Sequence, residues 1–528
     1  MTDHDVDVLV AGAGPVGLTA ALQLARWGVS VRVVDAASGP ATTSRALGAH
    51  ARSLEIYDQL GILADIAPHG TRINGFIRHQ GGRANRLDFD YGDLTTRFPY
   101  MFNIDQVITE RVLRGHLAAA GVDVEWNTGL EAFEHDEESV TAVLSGGGDG
   151  SGTGRETVRA RYLWGCDGGH STVRKTLQLP LAGEAAHTWL IADAIVRTDL
   201  ERDGVHWLFP PGGALMMFPF PDPGKWRLLD TTGEGNAEQL DAIARQFGTK
   251  LSRALGRDTV VDTPSWVSKF TVQQRAVPAM HVGRCFVSGD AAHVHSPASG
   301  QGLNTGIQDA YNLAWKLAMV VHGHADATLL DTYDAERVPI GQALLASTGE
   351  VMNNAMVDTG DTKEAQDTDR GFMRQLIRSM SGLNIAYPDS PLTVPDAEPG
   401  EGPRPGRRLT QISAADAQSP GWTALRALLR NPAWHLLVFA GTTHAGAETG
   451  PLPAWLDKVT IRRHRQDDED HGVWDPDGRV RDTLAAGDGD WLLVRPDGHL
   501  SARGTGDVGL RDALDRLGDL GMRRYAGA

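Results

Sequence analysis

The chain has 528 residues and a formal net charge of −17, with two cysteines. That length suits two to four domains, and the acidic balance argues against nucleic acid and anionic membrane surfaces as partners. Cys166 and Cys285 are far apart and lack metal-type spacing, so no disulfide framework is expected, and a reducing, cytoplasmic setting is. No apolar run reaches the length of a membrane span, and Asp3, Asp5 and Asp7 carry the wrong charge for a secretory signal.

In chain order, Val6–Ala11 is a short apolar run, the pattern of a buried parallel strand. Gly12, Gly14 and Gly17 follow, interleaved with Pro15 and Val16, and open an Ala/Leu-rich helix over 18–27. In such a turn the first glycine permits the bend, the second lets backbone approach a phosphate, and the third lets helix and strand pack closely. The helix N-terminus then offers N–H groups and partial positive charge to an anion. A second strand, 29–34, ends at Asp35, which is placed to accept from ribose hydroxyls. An acid there suits an unphosphorylated ribose, so FAD or NAD is expected in this site and NADP is not.

Helical periodicity marks 51–60 and 106–120, is lost over 71–105, and gives way to a strand at 122–126. Strands at 139–144 and 159–164 flank a Gly/Ser/Asp/Thr segment, 145–156, that reads as a mobile hairpin tip. Residues 176–279 favour antiparallel strands, among them 205–220 and 226–232, and a strand at 282–289 leads to a long helix at 302–320. Two loose segments, a charged one at 357–370 and a proline-rich linker at 388–405, precede an αβ pattern with strands at 435–440 and 490–495.

Two further stretches carry chemistry. Asp167-Gly168 follows the strand ending at Trp164; the plain alternative to a ligand role is a turn with Ser171 as helix N-cap. Gly289-Asp290 closes the strand at 282–289, which puts Asp290 where open α/β sheets bind ligands. Pro297, Gly300 and Gly302 leave a side-chain-poor loop leading into Leu303 and Asn304 at the head of the long helix. A planar ring against that loop meets backbone N–H groups, and the helix dipole stabilises negative charge on it. His293 and His295 lie near but lack a third ligand, so no metal is expected.

The glycine motif with Asp35, the Asp167-Gly168 stretch, and the run from Gly289 through Gly302, Asn304 and Asp309 together resemble the class A flavoprotein aromatic hydroxylases, from Asp5 to Pro388. The resemblance implies a Rossmann-like α/β FAD-binding domain (1–70, 106–175 and 280–395) with an inserted antiparallel-sheet substrate domain (71–105 and 176–279). The stretches Pro405-Gly406-Arg407-Arg408-Leu409, 435–440 and 492–498 resemble the thioredoxin-like α/β domain of the phenol and polyketide hydroxylase branch, at 400–528. With no cysteine after Cys285, that domain has no thiol exchange; it is expected to be structural or to join copies into a homo-oligomer.

The family's site residues carry over by motif. Gly12, Gly14, Pro15, Val16, Gly17 and Asp35 are implied to hold the pyrophosphate and ribose. Arg45 and Gln106 match residues that contact the phosphates and the ribityl or adenosine portion, and the backbone near Leu130 matches one that meets the adenine. Asp167 is implied in both FAD and NAD(P)H handling, Gly289 and Asp290 in holding the ribityl chain, and Pro297, Gly300, Gly302, Leu303 and Asn304 in carrying the isoalloxazine. Asp35 stands where the family usually has Glu, and Ser299 where many members have glycine.

The implied reaction uses NAD(P)H and dioxygen to hydroxylate a phenolic ring through a flavin hydroperoxide, with no protein nucleophile required. Members acting on small hydroxybenzoates bind the carboxylate with an arginine in the sheet. Here the corresponding stretch, 214–220, is Ala-Leu-Met-Met-Phe-Pro-Phe. Alternation puts Met216, Phe218 and Phe220 on one face, which is either plain core or the wall of an apolar cavity. Tyr100, His206 and Trp207 are the candidates to orient a hydroxyl, with Pro297 also at the substrate. The expected substrate is an apolar aromatic of natural-product or polyketide type, as in antibiotic biosynthesis. Baeyer–Villiger or drug-inactivating oxygenation is the alternative, and no Trp-x-Trp, carried by halogenases of this fold, occurs.

Overall fold

The computed structural model describes residues 4–44, 46–80, 82–146, 154–210, 213–295, 300–355, 363–396, 401–441, 452–464 and 472–523. The apolar run Val6–Ala11 forms the middle of an eight-stranded sheet, parallel to Val31–Val34 on one side and to Arg155–Gly165 on the other. Val124–Glu125 and Cys285–Val287 extend the parallel layer outwards, and the hairpin strands Gly129–His135 and Val140–Ser145 lean on Arg155–Gly165. Val8, Leu9 and Val10 are fully buried, as a strand covered on both faces requires. Helices Pro15–Arg26 and Gln301–Val321 pack together on this sheet.

A nine-stranded, mostly antiparallel sheet is built from 75–88, 182–276 and the short strand His293–Val294. Its two faces are both apolar. Phe76, Ile191, Trp207, Met216 and Leu229 cluster on one face with Met373, Leu376 and Met380 of helix Lys363–Met380. Leu190, Leu208, Leu215, Met217 and Leu228 cluster on the other with Ile243, Phe247 and Leu251 of helix Leu240–Leu255.

Several boundaries differ from those expected. The stretch 205–220 is two strands, Gly204–Leu208 and Leu215–Pro219, paired through His206 and Met217, with Pro210 between them. Helix Leu240–Leu255 lies in a region expected to be strands, and ends at Gly256 with φ +68. The expected strand 282–289 is regular only over Cys285–Val287, and the charged segment expected to be loose is helical from Lys363 onward. Residues 147–153 of the expected hairpin tip lie outside the described residues.

The C-terminal sheet has five strands in the order 472–474, 456–462, 434–439, 490–494, 500–505. Its attachment is electrostatic as well as apolar. Arg495 donates to Glu336 at 2.6 and 2.9 Å and to Asp497 at 2.5 Å, while Lys316 donates to Glu336 at 2.8 Å. Arg52 donates to the Asp497 carbonyl at 2.8 Å, and Arg408 to Glu55 at 2.9 Å. The side chains of Lys316, Glu336 and Arg495 have no exposed surface. Burial pushes the Lys316 ammonium down to about 8, against the pull of Glu336. The proline-rich stretch expected to be a linker is also tied in: Val394 N–H donates to the Ser501 carbonyl and Ser501 Oγ to that of Leu392, at 2.8 and 2.6 Å. Among the described residues no helix is long and apolar enough to cross a membrane.

Arg495→Met should destabilise the chain by about 3–5 kcal/mol, because Asp497 stays buried without its guanidinium and Glu336 is left with the Lys316 ammonium. Chemical denaturation followed by tryptophan fluorescence reads this, and a loss below about 1 kcal/mol would mean that this network does not hold the C-terminal sheet.

Candidate functional site

The glycine turn after Val6–Ala11 shows three different uses of a missing side chain. Gly12 has φ +103, and a Cβ there would lie 2.4 Å from the Cys166 carbonyl oxygen. A Cβ on Gly17 would lie 1.9 Å from the Gly12 oxygen, so helix and turn touch. A Cβ on Gly14 meets nothing within 4 Å: it would project into open space. Gly14 is also the N-cap of helix Pro15–Arg26, with no side-chain cap bond, and Gly14, Pro15 and Val16 line a cavity of about 350 Å3. Backbone donors without a side-chain partner, facing open space at a helix N-terminus, suit an anion.

A second uncapped helix N-terminus meets the same cavity. Helix Gln301–Val321 begins at Gly300 (φ +60) with no side-chain cap bond, and Gly300, Gln301, Gly302 and Leu303 all line the cavity. Asp290 lines it as well, at the end of the turn that follows Cys285–Val287. Gly289 (φ +59) stands behind, where a Cβ would come 2.9 Å from Val16 Cγ2.

The other residues singled out by sequence have mixed placements. Asp35 accepts from the Ala13 and Ala37 N–H groups at 2.7 and 2.8 Å, fixing the turn beside the cavity. Gln106 lines the cavity, and its Oε1 accepts from Ala46 N–H at 2.9 Å, holding the loop ahead of Gly48–Ala49. Asn304 is turned away: it donates to the Gly300 and Gly48 carbonyls at 2.6 and 2.9 Å and accepts from His50 N–H at 2.8 Å. Its side chain shapes the ring loop and does not line the cavity. Asp167 Oδ2 accepts from Thr172 N–H at 2.7 Å and Ser171 caps the same short helix, so the turn reading accounts for both; Asp167 Oδ1 is buried without a partner among the described residues. Leu130 sits on strand Gly129–His135, with Gly129 beside Ala36 at the end of the second strand. Arg45 and Pro297 lie outside the described residues.

On the sheet side, Phe218 lines the cavity, while Leu215 and Met217 face the other core. Met216 and Trp207 share the face of Phe218 but lie in the cluster behind it. Phe220 is buried under the Lys225 ammonium, 4.3 Å from its ring centroid, and does not line the cavity. Nor do Tyr100, under Arg72, and His206, which is hydrogen-bonded to His79 at 2.8 Å and to the Glu201 carbonyl at 2.7 Å. Tyr100, His206 and Trp207, the candidates to orient a hydroxyl, are thus not among the residues that line this cavity.

The cavity wall also holds Phe76, Met101, Ile191, Leu229, Phe270 and Met380, contributed by six separate elements, which no local pattern joins. Arg227 is the charged residue on that wall. It pairs bidentately with Asp193 at 2.8 and 2.9 Å and donates to the Ser44 carbonyl at 2.7 Å, so its charge is compensated and its fork ties sheet to loop. Cys166 lines the cavity too, but burial, then Asp167 and Asp309, push its thiol far above the ordinary range, so it offers no thiolate.

Two uncapped helix ends, a bare Gly14 and carboxylates at the ends of two sheet strands define a dinucleotide-binding oxidoreductase whose cavity continues into an apolar sheet wall. The family model described as "FAD binding domain" matches residues 5–348. The chain is 44% identical to the 6-methylpretetramide 4-monooxygenase of Streptomyces rimosus over 94% of this chain and 90% of that protein. It is 32% identical to the pentachlorophenol 4-monooxygenase of Sphingobium chlorophenolicum, over 97% of each. The anhydrotetracycline hydroxylase OxyS from Streptomyces rimosus superposes with a TM-score of 0.72 at 30% identity, over 97% of this chain and 98% of that one. The chain belongs to the FAD-binding family of class A flavoprotein monooxygenases, and is an FAD-dependent aromatic hydroxylase.

Gly14→Ala and Gly17→Ala should separate binding from packing. Gly14→Ala should leave the thermal stability of the apoprotein unchanged and weaken FAD binding about tenfold or more, about 1.4 kcal/mol. Gly17→Ala should lower apoprotein stability itself. FAD titration with thermal unfolding reads both, and unchanged FAD affinity in Gly14→Ala would remove the pyrophosphate from this turn.

Proposed function

We propose that this enzyme uses NAD(P)H and dioxygen to hydroxylate a phenolic ring of a large, apolar, polyketide-type aromatic. The observation that carries this is the continuity of one cavity from the Gly14–Val16 turn to the wall of Phe218, Ile191, Leu229, Phe270 and Met380. The near full-length similarity to the 6-methylpretetramide 4-monooxygenase supports the substrate class.

A bound flavin would supply the redox chemistry of this site, hydride acceptance from the nicotinamide and dioxygen activation. The N–H groups at the head of Pro15–Arg26 would hold the pyrophosphate, Asp35 the ribose, and Asp290 the ribityl hydroxyls. The head of Gln301–Val321 would face the ring and stabilise negative charge there. The aromatic and aliphatic wall orients a flat substrate by shape and excludes water. Helix Lys363–Met380 closes that wall through Met380, with Met373 and Leu376 behind. Compensation of Arg227 by Asp193 leaves no free arginine or lysine for a substrate carboxylate among the described residues that line the cavity, which favours neutral polycycles over hydroxybenzoates.

In this reading the nucleotide unit comprises 1–70, 106–175 and 280–395, the substrate unit 71–105 and 176–279, and the C-terminal unit 400–528 is thioredoxin-like. Two parallel and two antiparallel pairings in its five-stranded sheet support the last assignment. It holds no cysteine, so its part is to brace the nucleotide unit.

Phe218→Arg should abolish hydroxylation while FAD stays bound, because a guanidinium unpaired in this wall costs several kcal/mol or fills the space of the substrate. Turnover of a panel of polycyclic phenols under 18O2 is the assay. One labelled oxygen in a new hydroxyl is expected; a ring-expanded lactone would mean oxygen insertion instead, and normal turnover by Phe218→Arg would move the substrate off this wall.

A further inference from the structure

Behind the ring loop lies a chain of side chains whose hydrogen-bond directions are fixed by chemistry. Asp309 sits on helix Gln301–Val321 with no exposed surface. Its Oδ2 accepts from Gly289 N–H at 3.0 Å, and its Oδ1 accepts from Arg337 Nε–H at 2.8 Å. Burial disfavours the charge, but the Arg337 guanidinium and the hydrogen bonds from His293 and the Gly289 N–H hold the carboxyl down to about 2. Asp309 is therefore an acceptor only, and His293 Nε2, 2.7 Å from its Oδ2, must be the donor.

The next link follows from charge. Asp309 and Arg337 already cancel in the interior, so a protonated His293 would add an uncompensated buried charge. A neutral His293 that donates from Nε2 has a bare Nδ1. That atom lies 2.8 Å from His295 Nε2, so His295 must donate there. Burial pulls the His295 imidazole down to about 3, so it too stays neutral. Neutral and protonated on Nε2, His295 is left with an unprotonated Nδ1. His295 is 5% exposed and lines the cavity, and its Nδ1 is buried without a hydrogen-bond partner among the described residues. Asn103 Oδ1 and Gln301 Oε1 are likewise unpartnered there, their NH2 groups held by the Pro219 and Ser379 carbonyls at 3.0 and 3.2 Å, so both present acceptors to the cavity beside the His295 ring.

We propose that His295 is a substrate-positioning residue whose Nδ1 accepts the hydrogen bond of a phenolic O–H in the cavity, with Asp309 and His293 acting through it to fix its tautomer. This deepens the reading of the cavity as a phenol site and rests on it. His295 acts as an acceptor and takes no proton away. Its effect is to hold a hydroxylated ring in register with the apolar wall and to discriminate against rings lacking the hydroxyl, because such a ring leaves the buried nitrogen unpaired.

The test compares 2-naphthol with naphthalene on the FAD-loaded enzyme, with dissociation constants read from perturbation of the oxidised flavin spectrum. The native enzyme should prefer 2-naphthol by about tenfold or more. His295→Phe should retain FAD and bind naphthalene as the native enzyme does, and lose the preference. His295→Asn, which keeps an oxygen acceptor close to the Nδ1 position, should restore much of it; a merely structural histidine gives no such rescue. A native enzyme without the preference, a His295→Phe enzyme that keeps it, or a variant that loses FAD instead would each overturn the assignment. Failure of the native enzyme to bind either ring would count against the aromatic cavity itself, which separates the two readings.

Discussion

Everything at this site depends on how closely two helix N-termini approach each other. Val16, in the first turn of Pro15–Arg26, is wedged between Gly289 and Gly306. A Cβ on Gly306 would lie 2.6 Å from Val16 Cγ2 and 3.0 Å from the Gly289 Cα. Side chains at either glycine would force the helices apart, and the two sets of backbone donors would no longer converge on one cavity. Gly289 takes φ +59 for the same reason: the chain must turn sharply after Cys285–Val287 to pass under Val16 and present Asp290.

The second helix is held from behind by charge. Along its buried face Asn304 fixes the Gly300 loop, Asp309 gathers Arg337, His293 and the Gly289 N–H, and Lys316 reaches Glu336. Arg495 and Asp497 of the C-terminal sheet then complete the far end, with Trp315 Nε1 donating to Asp497 at 3.3 Å. Such buried pairs add little net stability beside apolar packing, yet each fixes one relative position. The C-terminal sheet thus fixes the position of helix Gln301–Val321.

Much of this was legible in the chain. The turn at Gly12–Gly17, the strand before it and the head of Gln301–Val321 depend on local rules of backbone freedom and apolar runs, and they stand close to where the sequence put them. The register of Leu215–Pro219 was also readable, because alternation separates Phe218 from Leu215 and Met217. What escaped is non-local. Gln308, Asp309, Asn312 and Lys316 recur at helical spacing, and it is partners from distant segments that bury them. Arg227 is one residue among the strands until Asp193 and Ser44 are placed beside it. Tyr100 and His206 were attractive for their chemistry, and were claimed instead by neighbours that only the fold supplies.

One arrangement underlies the proposed hydroxylation: a flavin spanning both helix heads, with its ring between the Gly300–Leu303 turn and the Phe218 wall. A crystal structure of the FAD-loaded enzyme with a bound polycyclic phenol tests it most directly. The pyrophosphate is expected on the backbone N–H groups that open Pro15–Arg26, the ring edge on the head of Gln301–Val321, and the phenol against Phe218. A flavin whose pyrophosphate lies off the Gly14 turn, or a phenol outside this cavity, would contradict it.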